Sequence, residues 1–146
     1  MLLPRLLIVD DDPQVSRMLR RMVAGSFAID VATSASEALA RIGRGERFHA
    51  ILCDITLGND EMSGRDFYDL LIERSFEQSL RVVVYTGTPF LPDDPLAVAL
   101  DDRFFVKNQS VALLVSKLLS VAAPLPQRSP IAEVISMSGG SSGALR

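Results

Sequence analysis

Short apolar runs and amphipathic segments alternate along the chain. Residues 6–9 form a continuous apolar run that predicts a buried strand, and residues 14–24 carry apolar positions at helical spacing, with Gly25 as a stop signal. The same order then repeats. Further strands are predicted at 28–33, 49–53, 81–85 and 104–106, and further helices after Ser34, after Ser63, from about Leu96 and at 110–123. The pattern therefore indicates about five strand–helix units.

This alternation predicts a doubly wound α/β fold, with a five-stranded parallel sheet covered by helices on both faces. A flavodoxin-like strand order, 2-1-3-4-5, would place strands one and three side by side. The fourth helix is expected to be short, because Pro89, Pro92 and Pro95 prevent a regular helix before about Leu96.

One domain is expected, at residues 1–123. A chain of 146 residues that is 48% hydrophobic can bury one ordinary core and has little room for a second. Pro124 and Pro126 follow the last predicted helix, and residues 138–143 contain only serine and glycine. That composition predicts a flexible tail at 124–146.

Charge and cysteine content exclude several classes of function. The chain has 15 basic and 18 acidic residues, a net charge of −3, and so offers no strong basic field for direct nucleic-acid binding. No apolar run approaches the roughly 18 residues that a membrane span needs. The lone cysteine, Cys53, excludes an internal disulfide and suits a cytoplasmic protein.

The polar residues of interest follow the ends of the predicted strands. They are Asp10 and Asp11 after strand one, Asp54 after strand three, Thr86 after strand four and Lys107 after strand five. Ligands bind at this edge of an open parallel sheet, so these side chains are expected to converge. Three carboxylates in one pocket would repel one another, and Mg²⁺ is the cation that suits such a site.

The same set suits phosphoryl transfer, in which catalysis is mostly positioning and charge neutralisation. Asp54 would be the nucleophile, with Asp10 and Asp11 holding the metal. The Thr86 hydroxyl would donate to one phosphoryl oxygen and the Lys107 ammonium would pair with another. The product would be an acyl phosphate on the protein itself, which describes a switch and not a turnover enzyme.

Each residue also has a simpler interpretation. Asp12 is expected to cap a helix, and His49, at the opposite end of its strand, to be structural. Cys53 should be a small buried hydrophobe. Thr86 alone could be a strand residue with a satisfied hydroxyl, and Lys107 alone a surface lysine. Their joint order favours the functional interpretation.

Four segments carry a family resemblance: Leu-Leu-Ile-Val-Asp-Asp-Asp-Pro (6–13), Ile-Leu-Cys-Asp (51–54), Val-Val-Val-Tyr-Thr-Gly (82–87) and Phe-Phe-Val-Lys (104–107). Over roughly residues 5–123 the chain resembles the receiver domains of two-component response regulators. The resemblance implies that Asp54 is the phosphoacceptor and Asp11 a direct Mg²⁺ ligand. It also implies that Asp10 acts largely through water and that Thr56 offers its backbone carbonyl to the metal.

The resemblance further implies a switch and a donor. Thr86 and Phe104 would move together on phosphorylation, and only the packing of Phe104 could change because it lacks a hydroxyl. The donor would be a phosphohistidine on a histidine kinase or a histidine phosphotransfer protein.

The chain departs from the family pattern in two places that concern the site. Asn108 follows Lys107 where the family usually has proline, which predicts a different placement of the lysine. The loop after Asp54 has Gly58 where the family usually has proline, and Asp60 and Glu61 lie within it. On the last helix, Leu113 and the segment 118–121 are apolar over more than one face, which suggests a homodimer as a hypothesis.

Two alternatives stay open. Asp10, Asp12, Thr86 and Lys107 also fit the order of an aspartate-nucleophile phosphatase of the haloacid dehalogenase type, although Gln14 stands where that class has threonine or valine. In that class Asp10 would carry the phosphoryl group. The other alternative is a pseudo-receiver, a protein-interaction module whose site no longer accepts phosphate.

Overall fold

The computed structural model describes residues 2–57 and 62–124, which form an alternating series of strands and helices. The strands are β1 (Arg5–Val9), β2 (Ala28–Ala32), β3 (Ala50–Asp54), β4 (Val82–Thr86) and β5 (Phe104–Val106). The helices are α1 (Pro13–Val23), α2 (Ala35–Gly43), α3 (Gly64–Arg74), α4 (Phe76–Ser79), α5 (Pro95–Leu100) and α6 (Val111–Ala122).

Side-chain caps fix where most of these helices begin. The Asp12 carboxylate accepts from the Gln14 amide at the start of α1, and the Ser34 hydroxyl accepts from the Glu37 amide at the start of α2. Ser63 and Asp66 form a reciprocal capping box on α3, and Ser110 caps α6. These bonds satisfy amide groups that have no partner within the helix, so short polar residues mark each strand-to-helix junction.

The five strands form one parallel sheet in the order β2-β1-β3-β4-β5, which confirms the predicted topology. β1 pairs with both β2 and β3, so the strand order reverses at β1. Val9 is in register with Cys53, and Asp54 with Tyr85. The carboxyl ends of β1, β3 and β4 consequently lie at the same edge of the sheet.

The helices cover both faces of the sheet and enclose two cores. On one face α2, α3 and α5 pack against alternate strand residues such as Leu7, Ile51 and Val84. On the other face α1 and α6 pack against Leu6, Leu52 and their neighbours. Every residue of β3 and β4 is buried, as expected of strands covered on both sides.

The structure differs from the sequence-based expectation in three local respects. A short helix, α4, lies between α3 and β4 and was not predicted; its four residues are too few to show a periodic pattern. The shortened fourth helix of the prediction is therefore α5, which begins one residue early because proline fits the first helical position. β3 and β4 end one residue later than predicted, so Asp54 and Thr86 are their last residues.

The apolar helix α6 is only partly available for association. Leu118, included in the predicted association surface, is fully buried against the sheet, while Leu119 remains 44% exposed and Val111 43% exposed. Leu118 was misassigned because the apolar residues of this helix leave its inner face ambiguous. No helix in the described part of the chain is long and apolar enough to cross a membrane.

A strained turn after α5 gives a prediction about stability. Among the described non-glycine residues only Asp101 has a positive φ, at 60° with ψ −107°, a region that L side chains rarely adopt. Replacing Asp101 by glycine removes the steric penalty and should raise the free energy of unfolding by about 1 kcal/mol. Urea denaturation measures this difference.

The neighbouring substitution Asp102→Gly is the matched control. Asp102 has no positive φ, so glycine there only adds freedom to the unfolded chain and should leave stability unchanged or slightly lower. A loss of stability in Asp101→Gly equal to that in Asp102→Gly would contradict the strain at Asp101.

Candidate functional site

The carboxyl ends of the strands line an open cleft of about 510 Å³. Its walls are formed by Asp10, Asp11, Asp12, Pro13, Val15, Asp54, Thr56 and Lys107. Five of the predicted site residues, at the ends of β1, β3 and β5, thus come together: Asp10, Asp11, Asp54, Thr56 and Lys107. The cleft lies where β1 and β3 are neighbours although they are separated in sequence. This is the switch point at which open α/β sheets bind ligands.

Asp10 is a buried carboxylate with an unsatisfied oxygen. Its side chain is only 2% exposed, and Oδ1 accepts from the Asp12 amide at 2.8 Å. Oδ2 has no hydrogen-bond partner within the described residues. Burial, together with the negative charges of Asp54 and Asp11, raises the pKa of Asp10 to about 6, against the lowering effects of the Asp12 amide and the Lys107 ammonium.

Asp54 ends β3 and is held from two sides. Its Oδ1 accepts from the Thr56 amide at 3.0 Å, and its Oδ2 lies 3.5 Å from the Lys107 ammonium. The residue is buried, but its carboxylate lines the open cleft. A carboxylate in this position can be reached from solvent while its orientation is fixed by the backbone.

Lys107 follows β5 and reaches back to the cleft. Its backbone amide donates to the Thr86 carbonyl at 2.9 Å, and its side chain is 39% exposed. The turn after it is closed by Gln109, whose side-chain Oε1 accepts from the Val106 amide and whose own amide donates to the Val106 carbonyl. These bonds hold the lysine although Asn108, and not proline, follows it. Its Nζ also lies 4.8 Å from the centroid of the Tyr85 ring.

Gly64, the first residue of α3, permits the close packing beneath Asp54. A Cβ atom at this position would lie 2.4 Å from the Asp54 carbonyl oxygen and 2.7 Å from the Ile55 Cα. The Gly64 amide donates to the Ile55 carbonyl at 3.0 Å. The backbone that carries Asp54 is therefore in direct contact with the start of α3, and only glycine fits there.

The donor set of the cleft fits a magnesium ion better than a transition metal. In residues 2–57 and 62–124, no three histidine, cysteine, aspartate or glutamate side chains are grouped closely enough to hold a metal on their own. Mg²⁺ does not require such a cage, because it retains several waters and uses one or two carboxylates. The unpaired, buried Oδ2 of Asp10 is the observation that fits a cation here.

The structure does not bring Thr86 into this cleft. The Thr86 hydroxyl donates to the Thr88 carbonyl at 2.8 Å and lines a neighbouring cleft of about 370 Å³. Phe104, the other predicted switch residue, is half-buried one strand away and packs edge-to-face on Phe90 at 5.3 Å. Thr56 lines both clefts and so marks the boundary between them.

An ion pair beside Thr86 was missed by sequence reasoning. Arg65, at the start of α3, forms two hydrogen bonds with Asp94, the N-cap of α5, at 2.8 and 2.5 Å. The Arg65 guanidinium lowers the pKa of Asp94 to about 2 and lies 5.7 Å from the Phe90 ring centroid. The two residues are 29 positions apart, and nothing in the local pattern pairs them. They join the ends of α3 and α5 around the loop that follows Thr86.

The simpler interpretations of three residues are confirmed. Asp12 caps α1, as described above. His49 is exposed and accepts a hydrogen bond from the Arg5 amide through Nδ1 at 2.9 Å, far from the acids. Cys53 is fully buried, and burial raises the pKa of its thiol. The loop residues Gly58, Asp60 and Glu61 lie outside the described residues.

The family model described as the response regulator receiver domain matches residues 6–118. This match covers most of the chain, so the protein belongs to the response regulator receiver domain family. No curated protein sequence matches the chain. The family match agrees with the 2-1-3-4-5 sheet and with the cleft at its switch point.

Several solved structures share the fold. A CheY-like receiver domain protein from Methanospirillum hungatei is 24% identical, with a TM-score of 0.69 over 82% of this chain and 94% of that chain. The response regulator TrrA from Thermotoga maritima, in complex with Mg²⁺-BeF, is 22% identical, with a TM-score of 0.70 over 82% and 99%. The chemotaxis protein CheY4 from Vibrio cholerae is 20% identical, with a TM-score of 0.67 over 82% and 98%.

The packing beneath Asp54 predicts that Gly64→Ala is destabilising. The new methyl group would overlap backbone atoms that cannot move aside without shifting β3, which should lower the free energy of unfolding by about 2 kcal/mol or more. Gly43→Ala is the control, because nothing lies within 4 Å of a Cβ there and alanine favours the helix. Chemical denaturation of both variants measures the difference. Equal stabilities of the two variants would refute the close packing of Gly64 against the backbone of Asp54 and Ile55.

Because the pKa of Asp10 is raised, we predict that Asp10→Asn increases the free energy of unfolding by an amount that depends on pH. The folded protein binds this proton more tightly than the unfolded chain, so Asp10 lowers stability as pH rises from about 4 to about 6. In the presence of EDTA, Asp10→Asn should therefore be more stable at pH 7.5 by about 3 kcal/mol, and the gain should shrink towards pH 4. Denaturation curves across this range measure it.

Asp12→Asn is the control for this series, because asparagine caps a helix as well as aspartate does. The difference in stability between Asp12→Asn and the natural sequence should stay constant over this pH range, whereas the difference for Asp10→Asn should grow as the pH rises. A gain in Asp10→Asn that is the same at every pH would show that the carboxylate does not titrate in this window.

Proposed function

We propose that this chain is a phosphoacceptor receiver in two-component phosphorelay signalling, and that Asp54 takes a phosphoryl group from a phosphohistidine in the presence of Mg²⁺. Membership of the receiver domain family supports the class of protein. The observation that carries the assignment to Asp54 is its place in the cleft: its Oδ2 lies 3.5 Å from the Lys107 ammonium, and Asp10 and Asp11 line the same space.

Asp10, Asp11, Asp54 and the backbone carbonyl of Thr56 are the groups that would hold the ion. When bound, Mg²⁺ supplies positive charge that offsets the carboxylates and the incoming phosphoryl oxygens. The unpaired Oδ2 of Asp10 and the raised pKa of this group support a cation requirement. The fold relative TrrA was solved with Mg²⁺-BeF, which supports magnesium as the ion.

The transfer step is carried by Asp54 and Lys107. A carboxylate oxygen of Asp54 attacks the phosphorus atom, the bond between phosphorus and the donor imidazole nitrogen breaks, and the electron pair leaves with the imidazole. The Thr56 amide keeps the other carboxylate oxygen in place, at 3.0 Å from Oδ1. The Lys107 ammonium stabilises charge on a phosphoryl oxygen. The product is an acyl phosphate on this chain, so the protein is a switch and not a turnover enzyme.

Thr86 and Phe104 are the proposed switch residues. The Thr86 hydroxyl is bonded to the Thr88 carbonyl, so it must rotate to donate to a phosphoryl oxygen. That rotation releases the loop after β4, which carries Phe90, and Phe90 packs on Phe104. Rearrangement of these contacts would convey the added charge on Asp54 to the surface around α5.

The proposed partner is a histidine kinase or a histidine phosphotransfer protein, because these classes carry the phosphohistidine that the transfer consumes. The exposed apolar residues Val111 and Leu119 leave a homodimer through α6 as a further proposal. Sedimentation of the protein with and without a phosphoryl mimic measures that association.

The function is tested by intact-mass spectrometry after incubation with acetyl phosphate. The natural sequence should gain one phosphoryl group only when Mg²⁺ is present, and Asp54→Asn should gain none. Asp69→Asn, which changes an exposed aspartate of α3, is the control and should be phosphorylated normally. Peptide mapping of the modified protein then identifies the acceptor.

Each other result assigns a different function. A phosphoryl group on Asp10 would identify an aspartate-nucleophile phosphatase and overturn the assignment to Asp54. Absence of both phosphorylation and Mg²⁺ binding would overturn the phosphoacceptor function and favour a protein-interaction module.

A further inference from the structure

We propose that Tyr85 is a positioning residue for Lys107, and that the face of its ring directs the lysine ammonium towards Asp54. The inference rests on the proposed phosphoacceptor function and adds to it a residue that the motifs of the chain do not single out. Three observations carry it: the strand order, the contact between ring and ammonium, and the rigid support of the ring.

The strand order requires the lysine to cross β4. Lys107 follows β5, Asp54 ends β3, and β4 lies between these strands. Neighbouring strands are about 4.8 Å apart, so the side chain must span about two strand spacings. The register pairs Tyr85 with Asp54 on one side and with Phe105 on the other. Tyr85 is therefore the β4 residue that the lysine side chain passes on its way to Asp54.

The contact is of the kind that attracts a cation. The Lys107 Nζ lies 4.8 Å from the centroid of the Tyr85 ring and 3.5 Å from Asp54 Oδ2. An ammonium within about 6 Å of an aromatic face is attracted by the negative face of the ring. A lysine side chain has several freely rotating bonds, and this side chain is 39% exposed. Attraction to the ring reduces the number of positions that the ammonium samples away from Asp54.

The ring is itself held in place. Tyr85 is 4% exposed and belongs to the core beneath α1 and α6. It stacks on Phe105 with ring centroids 5.8 Å apart and an angle of 11° between the ring planes. Burial, together with the charges of Asp54 and Asp10, raises the pKa of the Tyr85 hydroxyl, which agrees with its place beside the carboxylates. A leucine could fill this part of the core but would offer no aromatic face to the ammonium.

The test compares Tyr85→Leu with Tyr85→Phe, using the initial rate of Mg²⁺-dependent phosphorylation by acetyl phosphate. Loss of the ring should lower the rate about fivefold, and Tyr85→Phe, which keeps the ring, should stay within about twofold of the natural sequence. The same pair is then made in a Lys107→Met background, where Tyr85→Leu should have no further effect. A loss that persists without the lysine would overturn the proposal.

Phe105→Leu separates positioning from core packing. It removes the other ring of the stack, so it should lower thermal stability as Tyr85→Leu does, while Tyr85 stays beneath the lysine. Its phosphorylation rate should remain within about twofold of the natural sequence, since the cation–π contact is kept. A loss of rate equal to that of Tyr85→Leu would assign the effect to packing and overturn the proposal.

A spectroscopic measurement keeps this inference separate from the proposed function. The Cε protons of Lys107 should be shifted upfield by the ring current in the natural sequence and in Tyr85→Phe, and should lose that shift in Tyr85→Leu. The NMR measurement needs no phosphorylation. If acetyl phosphate modifies no variant but the upfield shift is present, the proposed phosphoacceptor function is wrong and the placement of Lys107 over the Tyr85 ring is retained. Absence of the shift in the natural sequence would overturn that placement.

Discussion

Pairing of β1 with β3 is the constraint on which the site depends. These strands are separated in sequence by β2 and two helices, yet they lie side by side, with Val9 in register with Cys53. The residues that follow, Asp10 and Asp54, are therefore placed in one buried corner. A different strand order would separate them and remove both their mutual repulsion and the cleft they line. The fold thus places carboxylates that repel one another at the switch point of the sheet, and it leaves the cleft there open to solvent.

The negative charges in the cleft exceed the positive charge that the described residues supply. One lysine, 3.5 Å from Asp54, does not offset the four aspartates that line the cleft, and the Oδ2 atom of Asp10 stays unpaired within the described residues. Buried carboxylates of this kind are destabilising unless a cation or a proton neutralises them. The metal-free protein therefore gives up some stability at its site, and the surrounding sheet, whose central strands are fully buried, tolerates that loss.

Successive residues of β4 point to opposite faces of the sheet, and each contributes to a different part of the site. Tyr85 lies towards α1 and α6 beneath Lys107, whereas Thr86 lines the neighbouring cleft and bonds to Thr88. Strand alternation makes this division unavoidable, because successive side chains point to opposite faces. The residue that contacts Lys107 and the residue that carries the threonine hydroxyl are thus neighbours on the same strand. The ion pair between Arg65 and Asp94 lies on the threonine side, where both residues line the same cleft as Thr86.

Sequence alone predicted the class of fold, the strand order and most of the polar residues of the main cleft, although it also placed Thr86 there. Apolar runs of strand length, helical periodicity and short polar caps are local properties, and parallel strands must end at one edge, so Asp10, Asp11, Asp54 and Lys107 could be placed together without coordinates. Only the tertiary structure decided the orientation of the Thr86 hydroxyl, the pairing of Arg65 with Asp94 and the ring beneath Lys107. The ion pair and the ring contact join residues too far apart in the chain for any local pattern to record them. The Thr86 hydroxyl bonds to a residue only two positions away, but its orientation depends on the conformation of the loop after β4.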